Sequence, residues 1–475
     1  MRALLYIGGE WRAASDQATF PVIDPSNEEV LANVASATIQ DVDDAMSAAD
    51  LAGKMWAKTS PRYRADVLMK AWQLLNENKS LISEYIVKEN GKAMPDALSE
   101  AGYAIEFFRW YAEEAVRNYG EILESPGGDK KIVSIRQPIG LSILVTPWNY
   151  PAAMATRKIA PALAAGCSVI LKPASDTPLT ALLIADILEN AGVPSGVVNV
   201  LPSRSSGKVV SHMLHDPRVR KISFTGSTEV GRLLLREASD CIVNCSMELG
   251  GNAPFLVFDD ANIDDAVAGA MVAKMRNGGE ACTAANRFYV HKSVVNEFSE
   301  KFTTAMAKLK VGPGLDPSVE LGPMINEQAI DDIDRLVSDA INKGAEPLTG
   351  GKRMDQKGFY YPPTVLGAVN SDSQILREEI FGPVAPIVTF NDDDEAISAA
   401  NNTEYGLISY LYTSDLKRGL QISEKLDAGM IGLNRGMVSD PAAPFGGVKQ
   451  SGLGREGSHD GLHEYMEKKY ISLNW

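Results

Sequence analysis

From Ser142 to Thr225 the chain repeats one unit. Short apolar runs begin at Ser142 (SILVT), Ser168 (SVIL), Val197 (VVNVL) and Lys221 (KISFT), at intervals of 26, 29 and 24 residues, with Ala- and Leu-rich stretches between them. Such runs suit parallel strands buried on both faces, and each interval accommodates one crossover helix. This repeat predicts a doubly wound α/β sheet of the nucleotide-binding kind. The alternation returns in PFLVF at Pro254, RFYVH at Arg287, PIVTF at Pro386 and MIGLN at Met430, so a second α/β domain is expected. Near the N-terminus Thr38 can cap a helix with Asp41, after which Val42, Ala45, Met46 and Ala49 recur at helical spacing. Helical patterning continues to about Arg117. Lys130 to Gln137 (KKIVSIRQ) alternates apolar and polar residues, as a half-exposed strand does, and reads as an excursion between two larger units. Ser458 to Trp475 reads as a short helix followed by a strand (KYISL) that pairs with that excursion or with another subunit.

At 475 residues the chain is too long for one ordinary core, so two or three domains are expected. Its 46 basic and 61 acidic residues leave a net charge of −15, which opposes nucleic acid and anionic membrane as partners. Cys167, Cys241, Cys245 and Cys282 form no CxxC pair and cannot build a disulfide framework, which fits a reducing compartment. The opening apolar hexapeptide runs into Gly8, Gly9 and Glu10, unlike a signal or transit peptide, and no apolar run reaches membrane-spanning length. A cytoplasmic protein is expected. The five histidines show no HxxxH or Cys/His ligand pairing, so no metal site is expected.

Five segments can carry chemistry. Cys282 follows two glycines in NGGEACTA, where a tight turn can present a thiolate and nearby amides to a carbonyl; the alternative is a small buried hydrophobe. Glu248 in MELGGN can act as a general base toward water, or be a turn acid. Asn149 in TPWNYP lies between a strand and a helix, where its amide can donate to an oxyanion or merely cap the helix. Lys172 in LKPAS ends a strand where ligands of open α/β sheets collect, and Ser227 in FTGSTEVG opens a helix that can face a phosphate. The chain has neither GxGxxG nor GxxxxGK at these positions, so a nucleotide binds in another way or not at all.

In order and approximate spacing, TPWNYP, LKPAS, FTGSTEVG, MELGGN, GGEACTAANR, EEIFGPV and PFGGVKQSGLGRE resemble the aldehyde dehydrogenase superfamily over essentially the whole chain. The resemblance implies a Rossmann-like cofactor domain (1–118 and 141–247), an α/β catalytic domain (248–445) and a small β bridging segment for oligomerisation (119–140 and 446–475). It implies Cys282 as nucleophile, Asn149 and the Cys282 amide as oxyanion donors, and Glu248 as the base that hydrolyses a thioester. Thr146, Pro147, Trp148, Lys172, Phe224, Ser227, Glu379 and Phe381 would contact the cofactor. Two departures matter. The glycine-rich turn after the third strand reads PSRSSG, leaving Gly207 in place, and Ser175 stands where many NAD-preferring members carry a glutamate. Without that acid's repulsion, Ser175 and Lys172 can bond a ribose phosphate, so NADP is expected, with NAD also accepted.

Arg157 lies eight residues beyond Asn149 and Arg276 six before Cys282, at positions that line the substrate tunnel in the family. Members acting on apolar aldehydes carry aromatic residues there; two guanidiniums would instead attract a carboxylate at the far end of the substrate. Ser439, with Tyr150 and Phe445, completes the expected substrate set. This combination is most similar to succinate-semialdehyde dehydrogenases, although 2-oxoglutarate or glutarate semialdehyde would also suit it. The alternative for either arginine is a salt bridge to a neighbour. A coenzyme A-acylating or general aldehyde dehydrogenase is a less fitting reading; a non-enzymatic member would have lost Cys282, and a thiol hydrolase would need a histidine near it. Thr283 and Ala284 follow Cys282, so an adjacent-cysteine redox switch has no second thiol. A homodimer or homotetramer is expected.

Overall fold

A computed structural model describes residues 2–474; Met1 and Trp475, the outer limits of the expected domains, lie outside the described residues. The four regularly spaced runs form strands Leu141–Val145, Val169–Lys172, Val198–Val200 and Val219–Thr225 of one eight-stranded sheet. Asn244–Glu248 joins them as a fifth parallel strand. Helices Pro151–Ala165 and Leu179–Asn190 pack on one face of this sheet, while Ile39–Trp56, Ser206–Leu214 and Thr228–Asp240 pack on the other. The strand order reverses between Leu141–Val145 and Val219–Thr225, so the loops leaving those two strands open a crevice at the switch point.

The expected second unit is a seven-stranded sheet containing Ala253–Val257, Ala285–His291, Val384–Phe390 and Met430–Leu433. The excursion Lys131–Pro138 pairs antiparallel with Met466–Leu473 over eight residues, and with Glu121–Glu124 on its other side. This resolves the choice left open for the C-terminal strand within the chain itself. Ile122 and Tyr470 of this small sheet are 72% and 57% exposed, respectively, a large apolar display for three strands. Short strands Leu5–Ile7 and Glu10–Arg12 extend the first sheet, where the sequence shows only an apolar hexapeptide. Three residues are too few to establish an alternation. Among the described residues no helix is long and apolar enough to cross a membrane.

Helix beginnings explain where a ligand can sit. Thr38 and Asp41 form the expected capping box. Buried carboxylates from the N-terminal helices occupy two further helix starts. Glu89 accepts from the amides of Leu179 at 2.6 Å and Thr180 at 2.8 Å, and Glu100 from those of Ala152 at 2.9 Å and Ala153 at 3.2 Å. Glu100 also pairs with Lys92 at 2.6 Å, and Lys92 donates to the Asn149 carbonyl at 2.7 Å. One buried ion pair therefore fixes both the loop carrying Asn149 and the helix that follows. In the Glu100→Ala variant Lys92 is left as an uncompensated buried charge. We expect a loss of about 3–5 kcal/mol in unfolding free energy, measured by denaturant titration.

Candidate active site

Cys282 sits on a turn that glycine makes possible. Asn277, Gly278 and Gly279 all adopt left-handed backbone, at φ 53°, 60° and 80°. A Cβ on Gly279 would lie 2.2 Å from the Gly382 carbonyl oxygen, and one on Gly251 would lie 2.5 Å from that of Cys282. The paired glycines of MELGGN thus let that segment close against the cysteine turn. Asn149 Nδ2 donates to the Glu280 carbonyl at 3.0 Å, and Asn277 Nδ2 donates to the carbonyls of Asn149 and Glu280, each at 3.0 Å. An amide nitrogen carries two hydrogens, so Asn149 retains a second N–H for an oxyanion. Burial pushes the Cys282 thiol up to about 12; Arg157 and Arg276 pull it down, while Glu379 and Glu248 push it further up.

Tyr150, Arg157, Arg276, Cys282, Ser439 and Phe445 line one pocket of about 130 Å³. The five expected substrate residues therefore converge with Cys282, but the two arginines differ. Arg157 Nε lies 2.5 Å from Glu456 Oε2, with its guanidinium 4.3 Å from the centre of the Phe445 ring. The salt-bridge alternative thus holds for Arg157. Arg276 donates to Thr283 Oγ1 at 2.9 Å and has no carboxylate at ion-pair distance among the described residues. The free positive charge of the pocket belongs to Arg276. Tyr103 also lines it, a residue with no local sequence signal because it comes from the distant Met94–Glu114 helix.

Glu248 ends the Asn244–Glu248 strand beside Thr225. Strand alternation sends Ile222, Phe224 and Met247 into the apolar layer and leaves Ser223, Ser246 and Glu248 on the opposite face. There Lys158 Nζ binds Glu456 Oε1 at 2.5 Å and Ser223 Oγ at 2.9 Å. Burial raises Glu248 well above the ordinary carboxylate range; Glu456 adds to this and Arg157 and Lys158 oppose it. Burial would raise Glu456 too, yet Arg157 and Lys158 hold its carboxyl below the ordinary value. Gly446 makes room for the base, since a Cβ there would lie 3.0 Å from Glu248 Oε1. Lys158 and Glu456 were legible in part. TRK places two consecutive cations in an otherwise apolar helix, and Glu456 ends the motif PFGGVKQSGLGRE.

The expected cofactor residues divide. Thr146, Pro147 and Trp148 leave the strand on one side of the switch point, and Ser227 caps the Thr228–Asp240 helix on the other, accepting from the Val230 amide at 3.4 Å. Trp148 meets Phe381 edge-to-face with ring centres 5.5 Å apart, which brings the loop bearing Glu379 over the same crevice. Glu379 Oε1 accepts from the Gly251 amide at 3.3 Å, and burial raises its carboxyl to about 8, against the pull of Lys274. Lys172 is 4% exposed and has no hydrogen-bond or ion-pair partner among the described residues. This orphaned buried cation and the helix start at Ser227 fit an anionic dinucleotide. Three expectations change. Phe224 is 5% exposed and packs its ring against Gly226, so its place is chiefly in the apolar layer. Gly207 lies inside the Ser206–Leu214 helix with open space beside it and forms no tight turn. Ser175 spends its hydroxyl proton on the Ser203 carbonyl at 3.0 Å.

A thiol with so high a pKa reacts through a small thiolate fraction. The rate of Cys282 alkylation by iodoacetamide should therefore climb about tenfold per unit between about pH 7 and pH 10, followed by mass spectrometry. A plateau near the ordinary thiol value of about 8.5 would contradict the buried environment described above.

Known proteins match the chain in sequence and in fold. The sequence profile described as "Aldehyde dehydrogenase family" matches residues 11–471. The chain is 51% identical over 444 residues to a succinate-semialdehyde dehydrogenase of Paenarthrobacter nicotinovorans, covering 94% of this chain and 99% of that one. It is 47% identical over 460 residues to a probable NADP(+) succinate-semialdehyde dehydrogenase of Sinorhizobium fredii, covering 97% and 94%. The crystal structure of a succinate-semialdehyde dehydrogenase from Burkholderia pseudomallei superimposes with a TM-score of 0.98 at 44% identity, over 100% of this chain and 98% of that one. With sequence and fold matched over nearly the full length, the chain belongs to the aldehyde dehydrogenase family.

Proposed function

We propose that the protein oxidises succinate semialdehyde to succinate with NADP, NAD also being accepted. The observation that carries the substrate is Arg276, a guanidinium without a carboxylate partner among the described residues, in the pocket that holds Cys282. A cation in such a place favours an aldehyde whose far end is anionic. The names of the relatives from Paenarthrobacter nicotinovorans and Sinorhizobium fredii support the same substrate, and the latter supports the cofactor.

The chemistry follows from the side chains. Glu248, once deprotonated, takes the Cys282 proton directly or through water, and Sγ bonds to the aldehyde carbon. The carbonyl oxygen becomes an oxyanion, held by the second N–H of Asn149 and the backbone N–H of Cys282. When bound, the nicotinamide ring supplies the acceptor for the hydride that leaves this carbon. Lys172, Trp148, Ser227 and Glu379 hold and orient the dinucleotide. Collapse of the thiohemiacetal leaves a thioester on Cys282. Glu248 releases the first proton to solvent and then takes one from water as the water oxygen attacks the thioester carbon; the carbon–sulfur bond breaks, the acid leaves, and the Cys282 sulfur takes that second proton back from Glu248 to restore the thiol. A carboxyl raised above its ordinary value suits a base working near neutral pH.

Two further readings accompany this one. The exposed apolar residues of the three-stranded sheet support a homodimer or homotetramer joined there. The four cysteines are free, which supports a cytoplasmic enzyme.

Arg276→Ala should raise KM for succinate semialdehyde about a hundredfold while changing turnover of an uncharged aldehyde of equal length little. Arg157→Ala should lower activity on both, because it removes one of the cations that compensate Glu456 beside the base. Equal losses on both aldehydes for Arg276→Ala would overturn the substrate assignment. In the Glu248→Gln variant, steady turnover should be slowed by roughly 10²–10⁴, and stopped-flow absorbance should show reduced cofactor forming more slowly too, because acylation and deacylation both lack their base.

A further inference from the structure

Two arginines face the pocket of Cys282, and acceptors of different charge hold them. Glu456 fixes Arg157 and cancels its charge, whereas the Thr283 hydroxyl accepts from Arg276 Nη2 at 2.9 Å and leaves that charge whole. We propose that Thr283 is a positioning residue for substrate selection: its hydroxyl holds the Arg276 guanidinium where the far-end carboxylate of the aldehyde docks. The inference rests on the substrate reading given under Proposed function and deepens it.

An arginine held by nothing would select poorly. Its long side chain carries about 2 kcal/mol of rotamer entropy, part of which is lost when it closes on an anion. A carboxylate partner would remove that freedom together with the field that attracts the substrate. A neutral acceptor orders the side chain and keeps the field. Thr283 is such an acceptor: it is 3% exposed, lines the same pocket as Arg276 and Cys282, and directly follows the nucleophile in sequence.

Both ends of the contact are anchored. On the arginine side the Asn277 amide donates to Asp96 Oδ2 at 2.8 Å, which fixes the backbone directly after Arg276. The guanidinium carbon lies 5.8 Å from the centre of the Tyr150 ring, within reach of its π face. On the threonine side the buried Tyr410 Oη donates to the Thr283 carbonyl at 2.8 Å, and the Ala284 amide donates to the Ala281 carbonyl at 2.9 Å. Branching at Cβ restricts the threonine side chain to few rotamers, so a fixed backbone there means a fixed hydroxyl. Among the described residues the bond to Thr283 is the single hydrogen bond of the Arg276 side chain, so four of its five N–H groups remain. A carboxylate takes two of them in a fork.

The test is steady-state kinetics of the full-length enzyme with succinate semialdehyde and with butanal, read as the ratio of kcat/KM for the two. Thr283→Val keeps the side-chain shape and removes the acceptor. The ratio should fall about tenfold, through KM for succinate semialdehyde rather than kcat. Thr283→Ser restores the acceptor, and the ratio should return to within about threefold of wild type. With Arg276→Ala already present, adding Thr283→Val should change the ratio less than about twofold, because the threonine acts through the arginine. If Arg276→Ala abolishes the preference for succinate semialdehyde and Thr283→Val keeps it, the substrate reading stands and this assignment falls. An equal loss on both aldehydes in Thr283→Val, no recovery in Thr283→Ser, or a further loss in the double variant would each overturn it as well. If Arg276→Ala keeps the preference, the substrate reading fails and the assignment fails with it.

Discussion

One carboxylate, Glu456, sits between two cations that are neighbours in sequence, and the pocket is arranged around that triangle. Arg157 and Lys158 leave consecutive positions of one helix and meet opposite oxygens of a side chain some 298 residues away, each at 2.5 Å. Buried charges persist only when compensated, so this contact must be complete for the helix and the C-terminal segment to pack. It also divides the labour inside the pocket. With Arg157 answered by Glu456, Arg276 remains as the charge free to attract an anionic substrate. Glu248 lies in the field of the same group, and burial with Glu456 nearby raises its carboxyl. The segment bearing Glu456 continues into Met466–Leu473, which pairs with the exposed small sheet. Glu248, Arg157 and the C-terminal strand are thus all tied to one buried carboxylate and its segment.

A second constraint decides where a dinucleotide can lie. In an ordinary doubly wound domain the helix after the first strand receives a pyrophosphate at its N-terminus. Here the amides at that position are taken by Glu100, and those of the next helix by Glu89. A phosphate would have to displace a buried carboxylate at either site. The absence of GxGxxG follows, since the first turn has no ligand to approach. The helix starts at Ser206 and Thr228 remain, and both lie on the opposite face of the sheet, where Lys172 also emerges.

The spacing of buried strands was legible because parallel strands buried on both faces must be apolar throughout. The nucleophile turn was legible because glycine identity reports left-handed backbone at Gly278 and Gly279. KISFT carried more than its spacing. Its alternation separates Lys221, Ser223 and Thr225 from Ile222 and Phe224, and in register with Asn244, Ser246 and Glu248 it builds the polar face on which the base sits. That also explains why Phe224 is a core residue: period two places it with Ile222. Glu89, Glu100 and Lys92 were invisible because their partners lie across tertiary contacts, 90, 52 and 57 residues away. Arg157 exposed the limit most clearly. Its position in the pocket was readable from spacing, whereas whether its charge is compensated there depends on a residue near the other end of the chain.

The cysteines show how burial and topology together set chemistry. Oxidation to a sulfenic acid starts from the thiolate, and burial that raises Cys282 to about 12 keeps that form scarce in the resting protein. A disulfide would need a second thiol within reach. Cys167 is buried with its sulfur against the Tyr465 carbonyl at 3.4 Å, Cys245 packs against the apolar face opposite Glu248, and Cys241 is exposed after the Thr228–Asp240 helix. All three belong to the first sheet and its helices, and none lines the pocket of Cys282. Thr283 and Ala284 occupy the two positions after it. Burial thus disfavours the Cys282 thiolate, and no other cysteine lines its pocket to form a disulfide with it.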